Sequence, residues 1–286
     1  MTRIDVPKTY KLYINGQFPR SERGRVLAQN DGEGNFMANY AWATRKDFRN
    51  AMSAARAAQS GWSGRTAFNR SQILYRIAET LDDRRAAFVE KLSKLGVDNA
   101  MQSVDKAVDD IFYFAGWADK YAQIMSSVNP VAQPFFNFST PEPTGVVTTF
   151  VSKNAPLLGL VHGLLPVILS GNTSILIVEN GAPTVAIDFA EVVGVSDVPA
   201  GVVNILTGKR DELVNHVAGH MDLNGILYYG DDREEIVQIE TVSAENLKRT
   251  HIIPDLSHSE WLNFEPSMYQ IQPFIELKTA WHPIGT

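Results

Sequence analysis

Asn154 is the residue best placed for chemistry, because it lies between a predicted strand and a predicted helix. A side-chain amide at such a point can donate a hydrogen bond to a developing oxyanion. It can equally serve as the N-cap of the helix, which has Pro156 in its first turn. On the local sequence alone, the N-cap is the favoured interpretation.

Two glycines could place backbone N–H groups against an anion. Gly208 and Gly230 each close a predicted strand and precede a helix, the position at which phosphates meet helix N-termini. A plain turn is the simpler interpretation of both, since the chain contains no G-x-G-x-x-G sequence. At the second turn, Asp231 and Asp232 add carboxylates where a pyrophosphate needs positive potential.

Metal and thiol chemistry are not predicted. His216 and His220 are four residues apart on a predicted helix, a spacing that can hold a metal. Neither an intervening glutamate nor a third ligand accompanies them. The 286 residues include no cysteine, which excludes disulfides, cysteine-ligated zinc and a thiolate nucleophile within this chain.

The segment from Gly145 onward must position these residues, since short apolar strands alternate there with helices. The strands read GVVTTFVS, TSILIVE, GVVNILTG, NGILYYG and KRTHIIPD, and helices are predicted near residues 155–169, 183–193, 210–218 and 232–244. Continuously apolar strands joined by helices are typical of a parallel sheet covered on both faces. The sequence therefore predicts an α/β fold with a Rossmann-like, doubly wound parallel sheet.

Helices precede this sheet. The dipeptide Asn15-Gly16 predicts a hairpin turn within YKLYINGQF, because it favours backbone with positive φ. Apolar residues at helical spacing then predict three helical segments, and Thr44 is a suitable N-cap for the first. The segments lie at about residues 45–62, 67–96 and 101–127.

The C-terminal stretch differs from the sheet before it. Apolar residues between Tyr269 and Leu277 predict a strand, although Pro273 cannot donate to a ladder and Pro283 ends it. A strand of this kind suits a sheet edge, or an arm that adds to a neighbouring chain.

Composition narrows the function classes. A net charge of −6 argues against a nucleic-acid binder, which would show clustered Lys and Arg. The longest apolar run, residues 157–170, is too short to cross a bilayer. The first residues of the sequence are polar and lack the apolar core of a signal peptide. The sequence predicts a cytoplasmic protein that binds neither nucleic acid nor membrane.

Several stretches resemble the N-terminal half of aldehyde dehydrogenases. They are LYINGQF, FYFAGWADK, EPTGVVTTFVSKNAPLLGLVHGLLPVILSGNTSILIVENGAP and VPAGVVNILTG. The resemblance covers about residues 10–256, and IELKTAWHPIGT is similar to the family's C-terminal strand, which packs between subunits. In the family, a catalytic domain lies between these two parts, and this sequence has no counterpart of it. This layout is most similar to the degenerate second half of family-sixteen aldehyde dehydrogenases. The resemblance implies a cofactor-binding domain at 1–256, then a linker and oligomerisation strand at 257–286.

The family's chemistry needs a cysteine thiolate, an oxyanion-binding asparagine, a glutamate base and NAD(P). Asn154 matches the asparagine, but Ser152 and Lys153 replace the proline and tryptophan before it. The glutamate aligns with Ile253, and one of the glycines that follow it aligns with Asp255. Without a thiolate there is no covalent intermediate for an oxyanion donor to stabilise. Asn154 is therefore interpreted as a remnant of the family's oxyanion hole.

The resemblance implies a weakened site for NAD or NADP as well. The lysine that holds the adenosine ribose aligns with Ile177, and the glutamate of the same motif aligns with Asn180. The serine that meets the pyrophosphate aligns with Asp231, which adds repulsion. The remaining cofactor-binding positions form a degenerate set: Phe150, Val151, Ser152, Lys153, Gly208 and Gly230.

We therefore expect a catalytically inactive aldehyde dehydrogenase-like protein with a structural or assembly role. It would form a homo-oligomer, or a hetero-oligomer with an active aldehyde dehydrogenase. Two alternatives stay open at this point. One is an NAD(P)-dependent aldehyde dehydrogenase, either on its own or completed by a partner subunit. The other is a nucleotide-binding sensor without turnover.

Overall fold

The computed structural model describes residues 8–179, 181 and 183–285. The strands are β1 (Thr9–Tyr10), β2 (Val26–Asn30), β3 (Phe36–Ala41), β4 (Ser127–Asn129), β5 (Phe135–Pro143), β6 (Val146–Phe150), β7 (Thr173–Val178), β8 (Val203–Thr207), β9 (Gly225–Tyr229), β10 (Arg249–Ile253) and β11 (Ile275–Pro283). The α-helices are α1 (Arg45–Ser63), α2 (Ala67–Asp83), α3 (Arg85–Lys94), α4 (Ala100–Trp117), α5 (Tyr121–Met125), α6 (Leu158–Leu169), α7 (Pro183–Gly194), α8 (Val214–Ala218), α9 (Arg233–Ser243) and α10 (His258–Leu262).

The predicted five-stranded parallel sheet is confirmed. Its strand order is β10-β9-β6-β7-β8, and every pair in it is parallel. The chain runs outward from β6 through β7 to β8, and then crosses to β9 on the other side of β6. This reversal makes the gap between β6 and β9 the topological switch point, the place where open α/β sheets usually bind ligands.

The two faces of the sheet explain why its strands are apolar throughout. Successive side chains of a strand point to opposite faces. In β7, Leu176 and Val178 pack with α2, α4, α6 and α7, whereas Ile175 and Ile177 pack with α1, α8 and α9. Helices therefore cover both faces, and the N-terminal helices complete the core of the sheet.

The first helix begins as predicted. The Thr44 side chain accepts a hydrogen bond from the Asp47 N–H, and the Asp47 carboxylate accepts one from the Thr44 N–H, which completes a capping box. The predicted turn also forms, with φ of 53° at Asn15 and 71° at Gly16. The hairpin does not extend into a two-stranded ladder, because Tyr13 instead pairs with Ile205 at the edge of the parallel sheet.

Several predicted helices are wrong in their bounds. The segment predicted at 67–96 is divided at Arg84 into α2 and α3, and the one at 101–127 ends at Trp117 before the short α5. Only 214–218 of the helix predicted near 210–218 is helical. The predicted helix near 155–169 begins at Leu158.

The C-terminal stretch forms a strand later than predicted. Residues 268–274 are short 3₁₀ turns, and β11 begins only at Ile275, after Pro273. This strand pairs antiparallel with β5 from Ile275↔Pro143 to Pro283↔Phe135. It is thus an edge strand of a second sheet, ordered β11-β5-β4, whose other two strands the sequence did not predict.

The segment between β10 and β11, which we call the linker (residues 257–274), is packed against the helices. Trp261, Ile271 and Phe274 are fully buried. The Gln270 side chain is 3.0 Å from Nδ1 of His162 in α6. None of the helices formed by the described residues is long and apolar enough to cross a membrane.

Candidate functional site

The predicted site lies at the carboxyl edge of the parallel sheet, where β6, β9 and β10 end side by side. Ser152, Asp231 and Asp255 follow these three strands, and the structure brings them together. The Ser152 hydroxyl donates to Asp255 Oδ1 at 2.5 Å, and the Asp255 N–H donates to Asp231 Oδ2 at 3.2 Å. These hydrogen bonds connect all three strand ends.

Ser152 is the centre of this network. Its buried hydroxyl oxygen also accepts hydrogen bonds from the Asn154 N–H and from the indole N–H of Trp261, each at 3.2 Å. The second oxygen of Asp255 accepts from the Lys153 N–H at 3.0 Å. Backbone donors that could face a ligand at this edge are therefore engaged by the protein's own carboxylate and hydroxyl.

Asn154 is neither an N-cap nor an open amide donor. The N-cap of α6 is Leu157, three residues later, so the N-cap prediction is wrong. The side-chain amide of Asn154 donates to the Leu256 carbonyl at 3.2 Å. Asp255 and Leu256 thus accept hydrogen bonds from the residues that follow β6. The Asn154 amide is directed toward the residues at which the linker begins.

Arg210 occupies the switch point itself. Its guanidinium donates to the Val151 carbonyl after β6 at 2.5 Å and to the Tyr229 carbonyl at the end of β9 at 3.1 Å. The side chain is fully buried and lies over the rings of Phe150 and Tyr228. Its nearest carboxylate is Glu179, at 3.9 Å. The crevice between β6 and β9 is thus filled by the chain.

Two neighbouring groups lie beside carboxylates of the protein itself. Burial, and then the charge of Asp255, raises the pKa of the Tyr229 phenol above its ordinary value. Lys153 is exposed and pairs with Glu179 at 2.9 Å, so the lysine next to Asn154 is held by a carboxylate.

The N–H groups of the two predicted phosphate-binding glycines already donate hydrogen bonds to backbone carbonyls. The Gly208 N–H donates to the Val178 carbonyl at 3.0 Å, and the Gly230 N–H donates to the Ile253 carbonyl at 3.1 Å. Both bonds continue the parallel ladder. Ile177, at the position of the family's lysine, is fully buried in the core, and Asn180 lies outside the described residues. The cofactor-binding roles of this set stay predictions.

The two histidines considered for a metal do not share a helix, because α8 ends at Ala218 and His220 follows its C-cap. No group of three or more His, Asp or Glu side chains suited to a metal occurs among residues 8–179, 181 and 183–285. His216 and His220 instead line one cavity.

Comparison with known proteins agrees with this fold. The model of the aldehyde dehydrogenase family matches residues 19–252. The chain belongs to the aldehyde dehydrogenase family. It is 28% identical to the aldehyde dehydrogenase, cytosolic 1, of Elephantulus edwardii over 257 residues, which cover 87% of this chain and 50% of that protein. It is 26% identical to the omega-crystallin of Enteroctopus dofleini over 250 residues, covering 85% and 50%.

Solved structures show the same fold. A putative aldehyde dehydrogenase from Burkholderia cenocepacia superposes with a TM-score of 0.79 at 27% identity, covering 85% of this chain and 50% of that one. The NAD⁺ complex of an aldehyde dehydrogenase from Bacillus cereus gives 0.79 at 22% identity, covering 86% and 51%. The chain spans about half the length of the relatives that it matches.

Two features of the site were missed by sequence reasoning. Arg210 follows a strand-closing glycine and carries no motif, so only the fold shows that it reaches two strand ends. Trp261 lies in a stretch without strand or helix periodicity. The neighbouring apolar residues Trp261, Leu262 and Phe264 were the signal that this stretch docks on the core.

Proposed function

We propose that this chain is a catalytically inactive member of the aldehyde dehydrogenase family with a structural role in assembly. The network of Ser152, Asp255 and Asp231 carries this proposal. The resemblance implies proline, glycine and serine at these positions, and their replacements bond to one another across three strand ends. Together with the absence of cysteine from the chain, they favour a closed edge over a reactive one.

The same edge supports weak or absent binding of NAD and NADP. Arg210 fills the switch point, and Ile177 provides no charged group for a ribose. A hydrogen bond to a charged group contributes about 1.5–3 kcal/mol, so this loss alone predicts roughly 10- to 150-fold weaker binding. Calorimetric titration with NAD and NADP tests this. Saturable binding tighter than millimolar would overturn it, as would NADH formation with an aldehyde that is sensitive to Asn154→Ala.

The surface that we propose for assembly is the β11-β5-β4 sheet. Register places Leu277 and Trp281 on one face with Phe135, and Val128 on the other face with Phe136. All five side chains are exposed, Leu277 and Trp281 by 61% and 60%. A small sheet with apolar side chains on both faces and an open edge strand is suited to association. We propose a second copy of this chain as its partner.

Native mass measurement of the full chain tests the assembly. The double variant Leu277→Asp/Trp281→Asp adds two charges to the proposed interface and should shift the wild-type oligomer to monomer. Met221 and Leu247 are exposed by 71% and 90%, so Met221→Asp/Leu247→Asp is a control with the same change in charge. A monomeric wild type, or equal dissociation in both variants, would contradict self-association. A wild-type monomer that assembles on addition of an active aldehyde dehydrogenase would replace it with the hetero-oligomer.

A further inference from the structure

A cavity lies outside the strand-end site and shares no lining residue with it. It has a volume of about 850 Å³ and lies between the start of α1, the loop before β2, and α8 with the turn that follows it. Its basic and aromatic lining includes Arg23, Arg45, Arg49, His216, His220 and Phe48. We call this cavity the basic cleft.

The charge of the basic cleft is opposite to that of the chain. Its lining includes five Arg or Lys side chains and three Asp or Glu side chains, whereas the whole chain has a net charge of −6. Two of the acids are already paired. Lys46 is 3.0 Å from Glu22, and Arg25 is 2.8 Å from Glu212. The third, Asp211, accepts the N–H of Glu212.

Three arginines remain without a carboxylate. Arg23, Arg45 and Arg49 make neither an ion pair nor a side-chain hydrogen bond within residues 8–179, 181 and 183–285. Arg45 and Arg49 are one helical turn apart in the first two turns of α1, so they lie on the same side of the helix. Guanidinium groups arranged in this way match the oxygens of phosphate groups.

Two histidines add polar ring nitrogens to the lining. Nε2 of His216 is buried and has no hydrogen-bond partner within the described part of the chain. Nδ1 of His220 accepts the Asp222 N–H at 3.3 Å, which leaves the proton of the neutral ring on Nε2. The His220 ring packs edge-on against Phe48, with 5.7 Å between ring centroids.

The pKa values of both histidines are lowered mainly by burial, with smaller contributions from neighbouring cations. Burial, then Arg45 and His220, lowers the pKa of His216. Burial lowers the pKa of His220, where Asp222 acts in the opposite direction and Lys248, Arg49 and Arg56 add to the lowering. An anion between the arginines would remove this repulsion.

We propose that the basic cleft binds a small anion that carries a diphosphate group. Three unpaired guanidinium groups, each with five N–H donors, provide enough donors for two adjacent phosphates. The volume of the cavity also leaves room for an organic moiety. This site is independent of the proposed structural role.

Calorimetry with inorganic pyrophosphate at low ionic strength tests the site on the full chain. We expect one saturable site in the wild type. Since each charged contact contributes about a 10-fold change in affinity or more, Arg45→Gln/Arg49→Gln should weaken binding by roughly 100-fold. The variant should unfold at the wild-type temperature, because both side chains are exposed.

The matched control is Arg65→Gln/Lys94→Gln. It removes the same two charges from exposed positions outside the basic cleft and should leave the affinity within about twofold, because neither side chain can contact an anion bound among the lining residues. Absence of saturable pyrophosphate binding in the wild type would overturn the proposal. An equal loss of affinity in both double variants would also overturn it, since the attraction would then be a property of net charge alone.

Discussion

Replacing Arg210 tests whether its side chain closes the switch point between β6 and β9. The variant Arg210→Met keeps most of the side-chain length and removes the guanidinium. It leaves the Val151 and Tyr229 carbonyls without their donor at the centre of the sheet edge. The fold should survive, because the sheet ladder and both core clusters do not depend on this residue.

The magnitude follows from the two hydrogen bonds. Each buried carbonyl left without a partner costs about 1–3 kcal/mol, so the pair costs about 2–6 kcal/mol. Removing a buried charge whose nearest carboxylate is 3.9 Å away offsets part of this cost. We therefore expect the free energy of unfolding to fall by about 3 kcal/mol. With an unfolding entropy of about 2.1 cal/mol/K per residue over 286 residues, the melting temperature should fall by about 5 °C.

Equilibrium unfolding in urea, with calorimetry for the melting temperature, measures this change. Arg210→Lys should fall between Arg210→Met and wild type, because an ammonium group is a point donor and cannot fork across two carbonyls. Lys209→Met is the matched control, since Lys209 is the exposed neighbour. Equal stability of Arg210→Met and Lys209→Met would show that Arg210 does not seal the switch point.

Three further predictions follow from the structure. Burial lowers the pKa of Lys248 from 10.5 to about 8, so between these pH values the unfolded chain binds more protons than the folded one. The free energy of unfolding should rise with pH across that window, and urea unfolding of Lys248→Met should show a flatter profile. Gln270→Ala leaves Nδ1 of the buried His162 unpaired and should lower stability by about 1–3 kcal/mol; a change under 0.5 kcal/mol would mean that the linker is not fastened there. Asp255→Ala removes the acceptor shared by Ser152 and the Lys153 N–H, and hydrogen exchange of the Lys153 amide should accelerate while amides of β7 stay protected. Equal exchange in variant and wild type would show that Asp255 does not close the edge.

The sheet could be predicted from the sequence because its signals are local. Apolar runs such as residues 175–178 require cover on both faces, and the helices between them supply it. Thr44 could be identified as an N-cap for the same reason, since its partner Asp47 is three residues away. The Asn15-Gly16 turn could also be predicted, because both residue types tolerate the positive φ that the turn requires. Each depends on residues within one turn or strand.

The closed site could not be predicted, because its bonds join distant residues. Arg210 reaches a carbonyl 59 positions earlier in the chain, and Asp255 is bonded to Ser152 across 103 positions. The N-cap at Asn154 was wrong for the same reason. Its residue type satisfies local capping rules, but the helix begins only after Leu157, and the Asn154 amide N–H donates to the Leu256 carbonyl, 102 positions later. No pattern within a window of residues contains such information.

One continuous segment joins the closed strand ends to β11. The linker begins beside Leu256, which holds Asn154, and it buries Trp261 against Ser152. It ends at Phe274, whose carbonyl accepts the Asn172 side chain, immediately before β11. A ligand that needed the strand ends open would have to displace the start of this segment from Ser152, whereas β11 is also held by its ladder with β5. The contacts of Asp255 and Trp261 with Ser152 keep these strand ends closed.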